Sequence, residues 1–106
     1  STGDGDAVAA AYARAQPHGE ALVAAEPAAA LFREDLARAH RHAGEAFLRV
    51  RQADPARADA WLERAIAAHT AEAGALAAIL ERGMQLAWVP KRVRTVEALL
   101  EKLRGT

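Results

Sequence analysis

Alanine fills 30 of the 106 positions, and that excess limits what the chain can become. Alanine is the strongest helix former, while the residues that favour strands are scarce, with six Val, two Ile and four Thr. Once alanine is set aside, only 25 larger apolar side chains remain. A chain this short also buries a smaller share of its surface than a longer one. Close packing of small side chains must therefore do much of the joining. The expectation is an all-α protein, a single antiparallel helical bundle with about four main helices. It would span residues 1–106 as one domain, with residues 1–5 flexible.

Several classes fall away on composition. There is no cysteine, so no disulfide framework, thiolate metal site or cysteine nucleophile can form. No stretch approaches the length of an apolar membrane span. The opening Ser1-Thr2-Gly3-Asp4-Gly5-Asp6 has neither the basic nor the apolar part of a signal peptide. Fourteen basic residues balance fourteen acidic ones, which removes any general pull toward nucleic acid. The chain reads as soluble, with no nucleic-acid or membrane partner expected. The compartment stays open, with the cytoplasm favoured.

The caps and breakers divide the chain. A first helix is expected over Asp6–Ala15, interrupted by Pro17 and Gly19, with a short piece over Gly19–Ala25. Glu26-Pro27 and Asp54-Pro55 are two similar helix starts. They open a second helix over Pro27–Arg51 and a third over Pro55–Arg82. In the second, Phe32, Leu36, Ala39, Ala43, Phe47 and Val50 form one apolar stripe, and Glu34–Arg38 and Glu45–Arg49 are spaced as exposed ion pairs. The third carries Leu62, Ile66, His69, Ala73, Leu76 and Leu80, with Gly74 expected to allow a close helix crossing. Gly83 is its natural stop. Pro90 is expected to hold Val89 out of the helical region, so the last helix runs over Arg92–Arg104 along Val93, Val96, Leu100 and Leu103.

Histidine is the main candidate for chemistry, since it titrates near neutrality and no cysteine competes with it. His40 and His42 lie about 200° apart around a helix and cannot share a metal. His42 with Glu45 is the one plausible His-carboxylate pair, a weak metal candidate. No cofactor is expected. His69 stands inside an apolar stripe, where a polar ring must find a hydrogen bond.

Leu62 to Thr70, with His69 midway along a long helix, resembles the histidine-containing phosphotransfer domains of bacterial signalling relays. That resemblance implies a phosphoryl-accepting His69. The family's Lys and Gly beyond the histidine are replaced here by Glu72 and Ala73, and a carboxylate one turn away would repel a phosphoryl group. Arg64 and His69 are also similar to the Arg-x4–6-His pattern of HEPN-type RNA-cleaving domains, which implies a catalytic Arg64–His69 pair. Five residues of straight helix would make these two diverge, and the tyrosine that often follows the histidine is replaced by Ala71.

The remaining signals point to binding. Lys91-Arg92-Val93-Arg94 opens a helix with positive charge, against its dipole, unless an acidic group sits opposite. The Met84–Pro90 connection is apolar where bundle loops are usually polar. Met84, Leu86 and Trp88 alternate and would share one side of an extended stretch. They form either a binding surface or, with Trp88 folded back on Val93 and Leu80, a plug for the end of the bundle. The expectation is a small binding, adaptor or oligomerisation module without catalytic activity, partnered by another protein or by itself as a homodimer. The alternative is a histidine-dependent signalling or RNA-processing domain using His69.

Overall fold

The computed structural model describes residues 3–105. Four helices follow one another: α1 (Gly3–Ala25), α2 (Ala30–Ala53), α3 (Ala58–Glu81) and α4 (Val89–Arg104), with a 3-10 turn over Pro55–Arg57 between α2 and α3. The described residues form no strand. The chain is an all-α bundle, as the alanine excess demands. Each helix packs mainly on its neighbour in the chain, and the molecule measures 43 × 28 × 15 Å.

Pro17 does not break α1. An interior proline costs about 3 kcal/mol through a lost hydrogen bond and a clash with the carbonyl four residues back. Both Ala13 and Pro17 are exposed, so water can serve the orphaned carbonyl. The turns on either side are anchored to α2. Val8 and Tyr12 pack before the proline, and Gly19 lies so near Leu36 that a Cβ there would come within 2.9 Å of its Cδ1. Residues 3–5 form the first turn of α1, and Gly5 is buried against the Trp61 ring. Residues 1 and 2 lie outside the described residues.

Helix α2 starts at Ala30 rather than Pro27 because the Pro27 carbonyl is turned outward. It accepts from Arg33 Nε at 2.8 Å and Arg82 Nε at 3.3 Å. Asp54 does not cap the next element with its side chain; its Oδ2 accepts from the buried Trp61 indole at 3.0 Å. Gly83 stops α3 with φ +71°, and Met84 N–H returns to the Ile79 carbonyl. Helix α4 begins at Val89, ahead of Pro90, which occupies the first turn where a missing N–H costs nothing.

The buried face of α3 is one position away from the stripe read in sequence. It comprises Trp61, Ala65, Ala68, His69, Glu72, Leu76 and Ile79, and leaves Leu80 exposed. The fully buried Trp61 ring turns the helix this way, stacking on Phe47 at 6.0 Å between centroids. The core has two apolar parts. One gathers Phe47, Val50, Trp61 and Ala65, and the other Ala37, Leu76, Ile79, Val89, Val96 and Leu100. A layer of buried polar groups on α2 and α3, His40, His69 and Glu72, accompanies them.

Candidate functional site

Helix α3 presents His69 and Glu72 one turn apart on its buried face, and both are almost completely enclosed, at 0 % and 1 % exposure. His69 Nδ1 donates to Glu72 Oε1 at 2.9 Å, since a carboxylate can only accept. Arg92, in the first turn of α4, closes on the same carboxylate with two bonds, Nε to Oε2 at 2.7 Å and Nη2 to Oε1 at 3.0 Å. The positive start of α4 thus has its acidic partner within the chain. Burial by itself would push the Glu72 carboxyl up. The hydrogen bonds and charges of His69 and Arg92 outweigh burial and hold it below its ordinary value.

The far side of the His69 ring rests on Gly44 of α2. A Cβ built on Gly44 would meet three ring atoms at less than 3.0 Å. His69 Nε2 faces this contact, buried and without a hydrogen-bond partner. The close crossing expected at Gly74 is therefore made at Gly44, while a Cβ on Gly74 would meet nothing within 4 Å. Paired substitutions test this. Gly74→Ala should stabilise the protein by up to about 1 kcal/mol through helix propensity. Gly44→Ala, which earns the same propensity, should instead destabilise it by about 1–3 kcal/mol because the enclosed ring cannot yield. Urea denaturation of both variants checks the sign, and two stabilising results would contradict the crossing.

A second buried histidine lies on α2. His40 Nδ1 is hydrogen-bonded to the Tyr12 hydroxyl of α1, and the two rings meet edge to face. Burial pushes His40 below the usual histidine value, partly opposed by the charges of Glu20 and Glu72. Burial, assisted by Glu20, pushes the Tyr12 hydroxyl up. This pair ties α1 to α2 as Glu72–Arg92 ties α3 to α4.

The candidate residues from the sequence are distributed as follows. Arg64 and His69 are not brought together. Arg64 is exposed and its guanidinium lies over the Phe47 and Trp61 rings, about 6 Å from each centroid, while His69 points into the core. His42 is exposed on the α1–α2 groove, and Glu45 faces Arg41 at 3.6 Å. Among the described residues no group of three or more His, Cys, Asp or Glu could hold a metal ion. On α2 the exposed ion pairs are Asp35–Arg38 and Arg41–Glu45 rather than the two expected from spacing.

Met84 and Leu86 are half-buried against the α3–α4 part of the core. With Leu80 and Pro90 they border a surface depression at the end of the bundle. The connection is not extended. Leu86 N–H returns to the Met84 carbonyl and Val89 N–H to that of Leu86, so Trp88 is carried to the other side. There it donates to Glu34 Oε1 at 3.3 Å and walls a cleft of about 290 Å³ with Ala37, Arg38, Arg41 and Glu72. Sequence reasoning did not find this cleft. Its only trace was Arg38 and Arg41 one turn apart on α2, which reads equally well as a solvated face.

No family model matches the chain, and neither the curated proteins nor the solved structures contain a match to it.

Proposed function

We propose that the chain acts by binding, as a small helical module that associates with a second copy of itself through one end of the bundle. One observation carries this reading. Three large apolar side chains stand exposed among the described residues, Leu31 at 63 %, Leu80 at 41 % and Trp88 at 39 %, and they all belong to the same end. Leu31 opens α2, Leu80 closes α3, and Trp88 sits on the connection to α4 and is hydrogen-bonded to the first turns of α2. Arg82 ties the end of α3 to the Pro27 carbonyl before α2. The half-buried Met84 and Leu86 lie beside Leu80 at this end, on a different surface from Trp88. Exposed apolar side chains concentrated at one end of a molecule are a feature of association surfaces, and tryptophan is enriched among residues that dominate interface energy. A net formal charge of zero sets up no long-range repulsion between copies.

A reading in which His69 accepts a phosphoryl group or a proton from a substrate requires its ring to be reachable, and the ring is enclosed between Glu72 and Gly44.

Trp88 reports on the association. Trp61 is fully buried, so acrylamide quenching of the wild-type chain reads mainly Trp88. Quenching should be strong in dilute protein and should weaken as concentration rises and the end is covered. A quenching constant that is the same at all concentrations would contradict self-association through this end.

A further inference from the structure

We propose that the cleft between α2 and Trp88 is a binding site for a small organic anion that carries an aromatic ring. The cleft is lined by Ala37, Arg38, Arg41, Glu72 and Trp88. The charge of its one acidic floor group is already answered, because Arg92 grips both Glu72 oxygens and His69 adds a third hydrogen bond. What remains to act on a ligand is the pair of guanidinium groups one turn apart on α2. Their own carboxylate neighbours hold them loosely, Asp35 at 3.5 Å from Arg38 and Glu45 at 3.6 Å from Arg41, all with exposed side chains. Such contacts contribute little and exchange readily with water.

Arg41 supplies the sharper signal. Its Nε is buried without a hydrogen bond, since the Glu45 Oε1 that pairs with it at 3.6 Å lies too far to accept one, although buried N–H groups are almost always satisfied. An oxyanion seated in the cleft would give this donor its acceptor. The planar guanidinium fork suits carboxylate and phosphate oxygens alike. The indole supplies the second half of the selectivity. Its N–H is committed to Glu34, which holds the ring as one wall, and the apolar Ala37 lines the same cleft. The volume, about 290 Å³, lies at the small end of the roughly 300–1,000 Å³ seen for ligand pockets. It suits one ring with one acid group.

The site is read out on the intact wild-type chain by its N–H resonances, with phenyl phosphate, benzoate and inorganic phosphate as probes. Phenyl phosphate or benzoate should shift the Trp88 indole and Arg41 Nε–H signals saturably, while the enclosed Trp61 indole stays fixed. Whichever of the two binds more tightly identifies the acid group. Combining Arg38→Gln with Arg41→Gln should weaken binding at least about tenfold, with thermal stability unchanged because both side chains are surface groups. Trp88→Leu should weaken the aromatic probes and leave any inorganic phosphate binding as it was. The proposal is overturned if neither aromatic probe gives a saturable shift by about 10 mM, a limit near the weakest specific affinities. It is equally overturned if the double variant binds within about twofold of wild type, or if inorganic phosphate binds as tightly as phenyl phosphate, since either removes one half of the recognition.

Discussion

Replacing Arg92 with methionine should cost about 3–5 kcal/mol of folding stability, because it strands a buried carboxylate. Glu72 is 1 % exposed and depends on Arg92 for two of its three hydrogen bonds. Methionine approximates the aliphatic stem, so the loss is electrostatic rather than a cavity. Against a total stability of about 5–15 kcal/mol for a domain, the change should be plain in a urea or thermal melt at neutral pH. Adding Glu72→Gln to Arg92→Met should recover much of the loss, since the charge that needed the arginine is gone.

The pH dependence has a definite sign. In the wild type the Glu72 carboxyl lies below its ordinary 4.5. Its contribution is therefore fully present above 4.5 and disappears as pH falls through the lower folded value. In Arg92→Met the same carboxyl keeps the His69 hydrogen bond but loses its cation, and burial, the largest influence on it, should push it up instead. The gap between the two proteins should begin to narrow above 4.5, as the variant's carboxyl takes up its proton, and should narrow further below 4.5 as the wild type loses its own contribution. A gap that stays constant down to pH 3 would mean that Arg92 acts through packing alone.

Trp61→Ala should be comparably severe, at about 3–5 kcal/mol for loss of a large buried ring. Trp61 joins three elements. It stacks on Phe47 of α2, takes the first turn of α1 at Gly5 against its edge, and donates to the buried Asp54 Oδ2 between α2 and α3. Arg57 lies over its face at 4.4 Å. Removing the ring leaves Asp54 buried without its donor, which adds to the cavity. Hydrogen exchange should show where the loss falls. Amides of the first turns of α1 should lose protection before those of α3 and α4, because Gly5 packs directly on the edge of this ring. Uniform loss over all four helices would place α1 more firmly in the core than this geometry does.

The helices were legible because alanine content and apolar spacing are local properties, and α-helical hydrogen bonds are local too. Helix ends were less so. Pro17 reads as a break, yet α1 continues because the turns on both sides of it are held by α2. The start of α2 was misplaced because the Pro27 carbonyl is taken by two arginines, one of them 55 residues away. Faces were harder still. The α3 stripe drawn from aliphatic residues omitted Trp61 and Glu72, since a glutamate at a buried position makes sense only once Arg92 is known to reach it. Glycines illustrate the same limit. Gly74 and Gly44 are both interior helical glycines, and only the position of His69 on the neighbouring helix distinguishes the one that is needed. At the candidate sites, the apolar character of Met84, Leu86 and Trp88 was readable. That the turn at Leu86 would send Trp88 to a different surface from the other two was not. The arginine cleft depends on residues from three elements and had no linear signature.

The proposed association through the end that carries Leu31, Leu80 and Trp88 is tested most directly by sedimentation velocity over a dilution series. From about 1 μM to about 500 μM, a range wide enough to bracket micromolar dissociation constants, the wild-type mass should rise from 11.3 kDa to twice that value. Leu31→Glu combined with Leu80→Glu, two exposed positions at which a charge leaves the fold intact, should remain at 11.3 kDa throughout. A wild-type chain that stays at 11.3 kDa at the highest concentration would contradict the proposal, as would a double variant that dimerises like the wild type.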